Sequence, residues 1–276
     1  MAIDVHIKTV NRKVTANMSV EQIDAVLLTK NSDFMLEKCL TALYKNAPVK
    51  TLIVVDGCST DKTLEILKKF RLKGRSIWIF QSHGTRAKAR EIGISKVSTE
   101  WFLFIDSDAV LCKDWFRRAQ KELAGGVGAV WGLNVDVIPN VKDKRIIRLQ
   151  SALAQQCFAL RGGTHDTLIL TKTVKDLKIP QRLHVFEDTF LIKQIQKQGC
   201  KVVIGEDIYC LHYKPPTNWD IQNSILQAVT EFRCGLLYSH MYRYSVFYVI
   251  FFFYWLLQSA ISLPKNVGYL LKAIHK

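Results

Sequence analysis

The sequence predicts an α/β fold, a mainly parallel mixed sheet flanked by helices, followed by C-terminal interfacial and transmembrane helices. Three observations predict it. Short apolar runs alternate with helical periods over the first hundred residues. Each run ends in a polar cluster, as strands do where a parallel sheet opens towards a ligand. From Asp220 onward the chain turns strongly apolar. The expected organisation is an extension over 1–22, an α/β domain over 23–218 and a membrane-associating region over 219–276.

The first strand is read at 23–29 and ends in Lys30, Asn31, Ser32 and Asp33. A helix follows with Leu36, Leu40 and Leu43 on one face, and it stops before Pro48. A second buried-type strand covers 51–55 and runs into Asp56-Gly57-Cys58-Ser59-Thr60-Asp61. A helix over about 62–70 buries Leu64, Leu67 and either Ile66 or Phe70. Strand three covers 76–80 and leads through Gly84, Thr85 and Arg86 into a helix that reaches about Val97.

The stretch Trp101-Phe102-Leu103-Phe104-Ile105 is apolar without a break, the mark of a strand covered on both faces. Two carboxylates, Asp106 and Asp108, follow at once. Acids this close repel unless a cation neutralises them, and a hard ion such as Mg²⁺ or Mn²⁺ suits oxygen donors. Helix capping by Asp or Ser is the alternative for an isolated Asp-x-Asp.

Beyond the acids, 113–123 reads as a helix, 129–135 as a strand and 142–160 as a basic amphipathic helix. A tight loop at 161–166 precedes a strand at 167–170. Glu187-Asp188 falls at the start of a helix that ends near Gly199, and a last strand runs from Lys201 to His212. An interfacial helix is expected at about 220–240. The charge-free segment 246–263 is long enough to span a bilayer at the lower limit, and 264–276 forms an amphipathic tail.

The net charge of +15 calls for an anionic partner: nucleic acid, a phospholipid surface or a phosphorylated substrate. The seven cysteines show no zinc spacing and point to a reducing compartment. Asp4, His6 and Lys8 interrupt any apolar run at the start, so no secretory signal is expected there.

Taken together, the strand ending in Lys30-Asn31-Ser32, Val54-Val55-Asp56-Gly57-Cys58-Ser59-Thr60-Asp61, Gly84 with Arg90 opening a helix, Asp106-Ser107-Asp108, Glu187-Asp188 and His212 resemble a family 2 glycosyltransferase of the GT-A type, Rossmann-like in its sheet. The resemblance covers roughly 23–215. It implies a nucleotide-diphosphate sugar donor, GDP- or UDP-linked, held by Thr29, Asn31, Asp56, Arg86, Arg90 and Asp106. It implies Mn²⁺ or Mg²⁺ at Asp106, Asp108 and His212. It implies Asp188 as the base that deprotonates the acceptor hydroxyl in an inverting displacement, with Glu187 orienting it.

Membrane-bound polysaccharide synthases with a similar core, the cellulose-synthase-like enzymes, carry Gln-x-x-Arg-Trp on an interfacial helix. Here that helix offers Gln222, Gln227 and Arg233 without Arg-Trp. A single-addition enzyme is expected instead, similar to dolichyl-phosphate mannose synthases. It would move mannose or glucose to a lipid-linked acceptor, against membrane lipids at the cell membrane, with its catalytic domain on the cytoplasmic face. A polyprenyl-phosphate acceptor, already ionised, would need no base. A membrane-tethered nucleic-acid-binding protein explains the charge but not the acids gathered at strand ends, so no nucleic-acid partner is expected. A sugar nucleotidyltransferase would carry its Gly-rich loop after the first strand, where Thr29-Lys30-Asn31-Ser32 stands.

Overall fold

The computed structural model describes residues 20–137, 163–181, 183 and 187–213. The extension over 1–19, the basic helix expected at 142–160, and the interfacial helix, span and tail expected beyond residue 219 lie outside the described residues. Among the described residues, no helix is long and apolar enough to cross a membrane.

Eight strands form one mixed sheet: β1 (Ile23–Thr29), β2 (Val49–Asp56), β3 (Ile77–Gln81), β4 (Trp101–Asp106), β5 (Ala109–Leu111), β6 (Val127–Val137), β7 (Asp166–Leu170) and β8 (Lys201–Tyr213). Their spatial order is β3-β2-β1-β4-β7-β6-β8-β5. The first four run parallel. Strand β7 is antiparallel to both neighbours, and β8 is parallel to β6. Strands β4, β6 and β8 therefore all end at the same edge of the sheet.

Helices α1 (Asp33–Asn46), α2 (Thr63–Leu72), α3 (Arg86–Lys96), α4 (Trp115–Ala119) and α5 (Glu187–Lys197) cover the two faces. Alternation along β1 decides which side chain goes where. Ile23, Ala25 and Leu27 join the core beneath α1, with Leu36, Leu40, Leu43 and Trp115. Val26 joins the opposite core, with Ala87 and Ile94 of α3 and Leu191, Ile192 and Ile195 of α5. Helix α3 comes very near the sheet at Gly93, where a Cβ would stand 2.4 Å from Val26 Cγ1.

All five apolar residues of β4 are 0–2 % exposed, as expected of a central strand. At its start, the buried Asp24 carboxylate of β1 accepts from Ser98 N–H (2.6 Å) and Thr99 N–H (3.2 Å), locking the turn that launches β4.

One expectation needs correction, and one strand lies outside the expectations. The helix read at 113–123 is the shorter α4 followed by a 3-10 turn at Gln120–Glu122. Asp114 in the left-handed region (φ 58°) delays its start. Strand β5 was not expected, because three residues show no period. It exists because Ala109–Leu111 pair with β8 at the sheet edge.

Candidate functional site

The register of the parallel strands lines up their carboxyl ends. Thr29 sits opposite Asp56, Asp56 opposite Gln81, and Leu28 opposite Asp106. Across the sheet, Ala109 sits opposite His212, so the end of β8 lies beside Asp108. Tyr213 N–H donates to Asp108 C=O at 2.9 Å and closes this corner.

His212 Nε2 stands 2.9 Å from Asp108 Oδ1. One ligand atom from each of Asp106, Asp108 and His212 lies within 4.8 Å of the other two. The Asp106 and Asp108 side chains keep 34 % and 31 % of their surface open, enough for a ligand to reach them. Two carboxylates and an imidazole in this spacing fit a divalent cation of the Mn²⁺ or Mg²⁺ kind. Burial by itself would raise the Asp106 carboxyl. The Arg90 guanidinium, helped by His212, His165 and Arg86, outweighs it and holds the carboxyl below its usual range. Beneath the acids, Cys39 Sγ donates to Asp106 C=O at 3.4 Å. Burial, then the two nearby carboxylates, push its thiol far up, so it is an inert core group.

Asp56 is fully buried. Its Oδ1 accepts from Thr29 Oγ1 (2.7 Å) and Ser59 Oγ (2.6 Å), and its Oδ2 from Ser59 N–H (2.8 Å). In this arrangement its carboxylate shapes the loop after β2. Asn31, left-handed at φ 49°, completes the shape: its Oδ1 accepts from Thr60 N–H and its own N–H donates to Ser59 Oγ, both at 2.9 Å. Ser107 Oγ and Ser32 Oγ, 2.9 Å apart, tie this loop pair to the acids. Thr29, Asn31, Asp56 and Asp106 thus come together.

Arg86 stands exposed at the first position of α3. Arg90, one turn on, points inward and is 3 % exposed. Its Nη2 lies 3.5 Å from Asp106 Oδ1, and its Nε lies 3.6 Å from Glu187 Oε1. Glu187 is buried at the start of α5, and Asp188 beside it is half-buried. Asp188 Oδ1 accepts from Thr189 N–H at 2.7 Å.

Sequence reasoning missed a second group. His165 Nε2 meets Asp166 Oδ1 at 3.0 Å, and Trp115 Nε1–H donates to Asp166 Oδ2 at 2.9 Å. The His165 ring stacks on His212 with centroids 6.4 Å apart. Burial opposes charge on His165, but the Asp166 carboxylate more than offsets it and pushes the imidazole up. Gly132 makes room for this group, since a Cβ there would meet Asp166 Oδ2 at 2.0 Å. The sequence offered only a tight loop as its signal.

A family model described as Glycosyl transferase family 2 matches residues 24–192. The chain belongs to glycosyl transferase family 2. Among curated family relatives, the poly(ribitol-phosphate) beta-N-acetylglucosaminyltransferase TarS of Staphylococcus aureus is 31 % identical over 103 residues, which is 36 % of this chain and 18 % of the relative. The poly(ribitol-phosphate) beta-glucosyltransferase of Bacillus spizizenii is 25 % identical over 129 residues, 43 % of this chain and 20 % of the relative. The chain therefore matches about a fifth of the length of these proteins.

Among solved structures, S. aureus TarS in complex with UDP superposes with a TM-score of 0.55 at 20 % identity, covering 77 % of this chain and 65 % of that one. A mannosyltransferase from Pyrobaculum calidifontis with GDP-Man and Mn²⁺ gives 0.60 at 16 % identity, covering 78 % and 64 %. These likenesses establish the GT-A, Rossmann-like fold of the family 2 domain.

Proposed function

We propose that this chain is a metal-dependent, inverting glycosyltransferase that moves a hexose, mannose or glucose, from a nucleotide-diphosphate sugar to a lipid-linked acceptor. In this reading it works at the cell membrane, anchored by segment 246–263, with the catalytic domain on the cytoplasmic face. The observation that carries it is the meeting of Asp106, Asp108 and His212 at the carboxyl edge of the sheet. A divalent ion there would offset the charge that grows on the diphosphate as the glycosidic bond breaks. The imidazole in the donor set favours Mn²⁺ over Mg²⁺.

The chain's own residues do the rest. The loops shaped by Asp56 and Asn31 receive the nucleoside, and Arg86 faces the phosphates from the first turn of α3. Asp188 takes the acceptor proton and Glu187 holds it in place. The UDP and GDP-Man held by structurally similar proteins support a nucleotide donor of either base. Two relatives are named for poly(ribitol-phosphate) acceptors, and a chain of net charge +15 suits a phosphate-bearing acceptor.

The hydrogen bond from Thr189 N–H to Asp188 Oδ1 favours a second reading, in which this carboxylate only steadies the first turn of α5 and the acceptor is a polyprenyl phosphate, ionised without help.

The deciding experiment is a donor screen. Purified full-length protein, Mn²⁺ or Mg²⁺ and a membrane lipid extract are incubated with UDP- and GDP-hexoses, and the lipids are analysed for a hexose gain in mass. The gain should require the metal and vanish in Asp108→Ala. Transfer that persists in chelator, or in that variant, would overturn the metal assignment. A gain confined to water-soluble polymer would overturn the lipid acceptor.

A further inference from the structure

Arg90 invites a diphosphate role by its place on α3, but its surroundings give it another. Its guanidinium lies over the Phe104 ring at 4.5 Å, and Phe104 is fully buried. Nη2 donates to Thr164 Oγ1 and faces Asp106 Oδ1 at 3.5 Å, while Nε faces Glu187 Oε1 at 3.6 Å. At 3 % exposure, Arg90 cannot reach a ligand without leaving all four groups.

We propose that Arg90 is a positioning residue, an internal strut that joins Asp106 at the donor end of the site to Glu187 at the head of α5, and so sets where Asp188 stands. The inference rests on the donor and base assignments proposed above. Asp106, Thr164 and Glu187 belong to β4, to the loop before β7 and to α5, which share no local sequence. A planar cation holds Nε and Nη2 as two separate donors in fixed positions, so one side chain meets both carboxylates at once. A lysine ammonium is a point charge on a flexible stem and meets only one of them at a time. Glu187 is 4 % exposed, and without its cation a carboxylate there is buried and uncompensated. Among the described residues, Arg90 Nε and Nη1 have no hydrogen-bond partner, so short movements of Glu187 can tighten the bridge.

The test uses full-length protein carrying Arg90→Lys. Calorimetry measures UDP and GDP binding with Mn²⁺, and kinetics are run on the sugar nucleotide that the wild type turns over. Hydrogen exchange reports on the amides of 187–197. A strut predicts nucleotide affinity and donor KM within ~3-fold of wild type and kcat down ~100-fold. Exchange should rise at the start of α5 and stay unchanged in β1 to β4. Combining Arg90→Lys with Glu187→Gln should cost no more than the worse single change, since both break one bridge. Should Arg90→Lys fail to fold, Glu187→Gln alone must give the same split between kcat and KM. A tenfold loss of nucleotide affinity with kcat intact at saturation would make Arg90 a donor contact and overturn the strut alone. Unchanged exchange at 187–190 would also overturn it. A wild type that neither binds Mn²⁺-nucleotide nor turns over any donor sinks the proposed function and the strut together.

Discussion

Asp108 and His212, 104 positions apart in the chain, meet at 2.9 Å because β5 turns back beside the end of β8. As a candidate metal site assembled by strand pairing, this corner has a plain consequence. Asp108→Ala or His212→Ala should lower Mn²⁺ affinity by more than the ~10–100-fold that changes around a ligand set already cost. Far-UV circular dichroism should stay as in the wild type, because both side chains lie at the rim. Mn²⁺ titration followed by electron paramagnetic resonance checks it, and unchanged affinity in both variants would remove the site.

Asp188→Asn keeps the shape of the side chain and removes its basicity. Transfer should fall by ~10²–10⁴, the usual worth of a positioned base, with nucleotide binding spared. Initial rates and calorimetry on the same sample separate the two effects. Near-normal turnover would favour the polyprenyl-phosphate acceptor.

Gly132→Ala drives a methyl group into the Asp166 carboxylate, where Trp115 already donates. The overpacking should destabilise the fold by about 1–3 kcal/mol. Urea unfolding measures it, and a stability within error of wild type would mean that β6 and β7 separate more easily than their register implies.

Tyr44 lies between Phe70, stacked at 6.4 Å, and Arg75, whose guanidinium sits 4.6 Å above its ring. Burial pushes its hydroxyl up to about 12, with Arg75 acting weakly the other way. The folded state thus holds a proton that the unfolded chain loses near the ordinary tyrosine value of about 10. The stability this contributes is complete below that value and is lost as pH rises from about 10 to about 12. Tyrosinate absorbance should show one late component that disappears in Tyr44→Phe.

Much of the fold was legible because local composition dictates it. An unbroken apolar run such as 101–105 belongs between two layers, and polar clusters after β1, β2 and β4 mark where such strands stop. The edge strand β5 was not legible, since three residues hold too little pattern. Nor was the pairing of His165 and Asp166 with Trp115, which joins the start of β7 to α4 and leaves no trace in spacing.

The sequence by itself determined a parallel α/β half, the acids at the end of β4 and the excess of positive charge, because burial and periodicity act between near neighbours. Only the tertiary structure decided what those side chains face. It put His212 against Asp108, turned Arg90 away from solvent to Asp106 and Glu187, and enclosed Asp56 in its own loop. The physical reason is that a charge buried in the folded chain must find a counter-charge or hydrogen-bond donors there, and which groups are within reach is set by strand order.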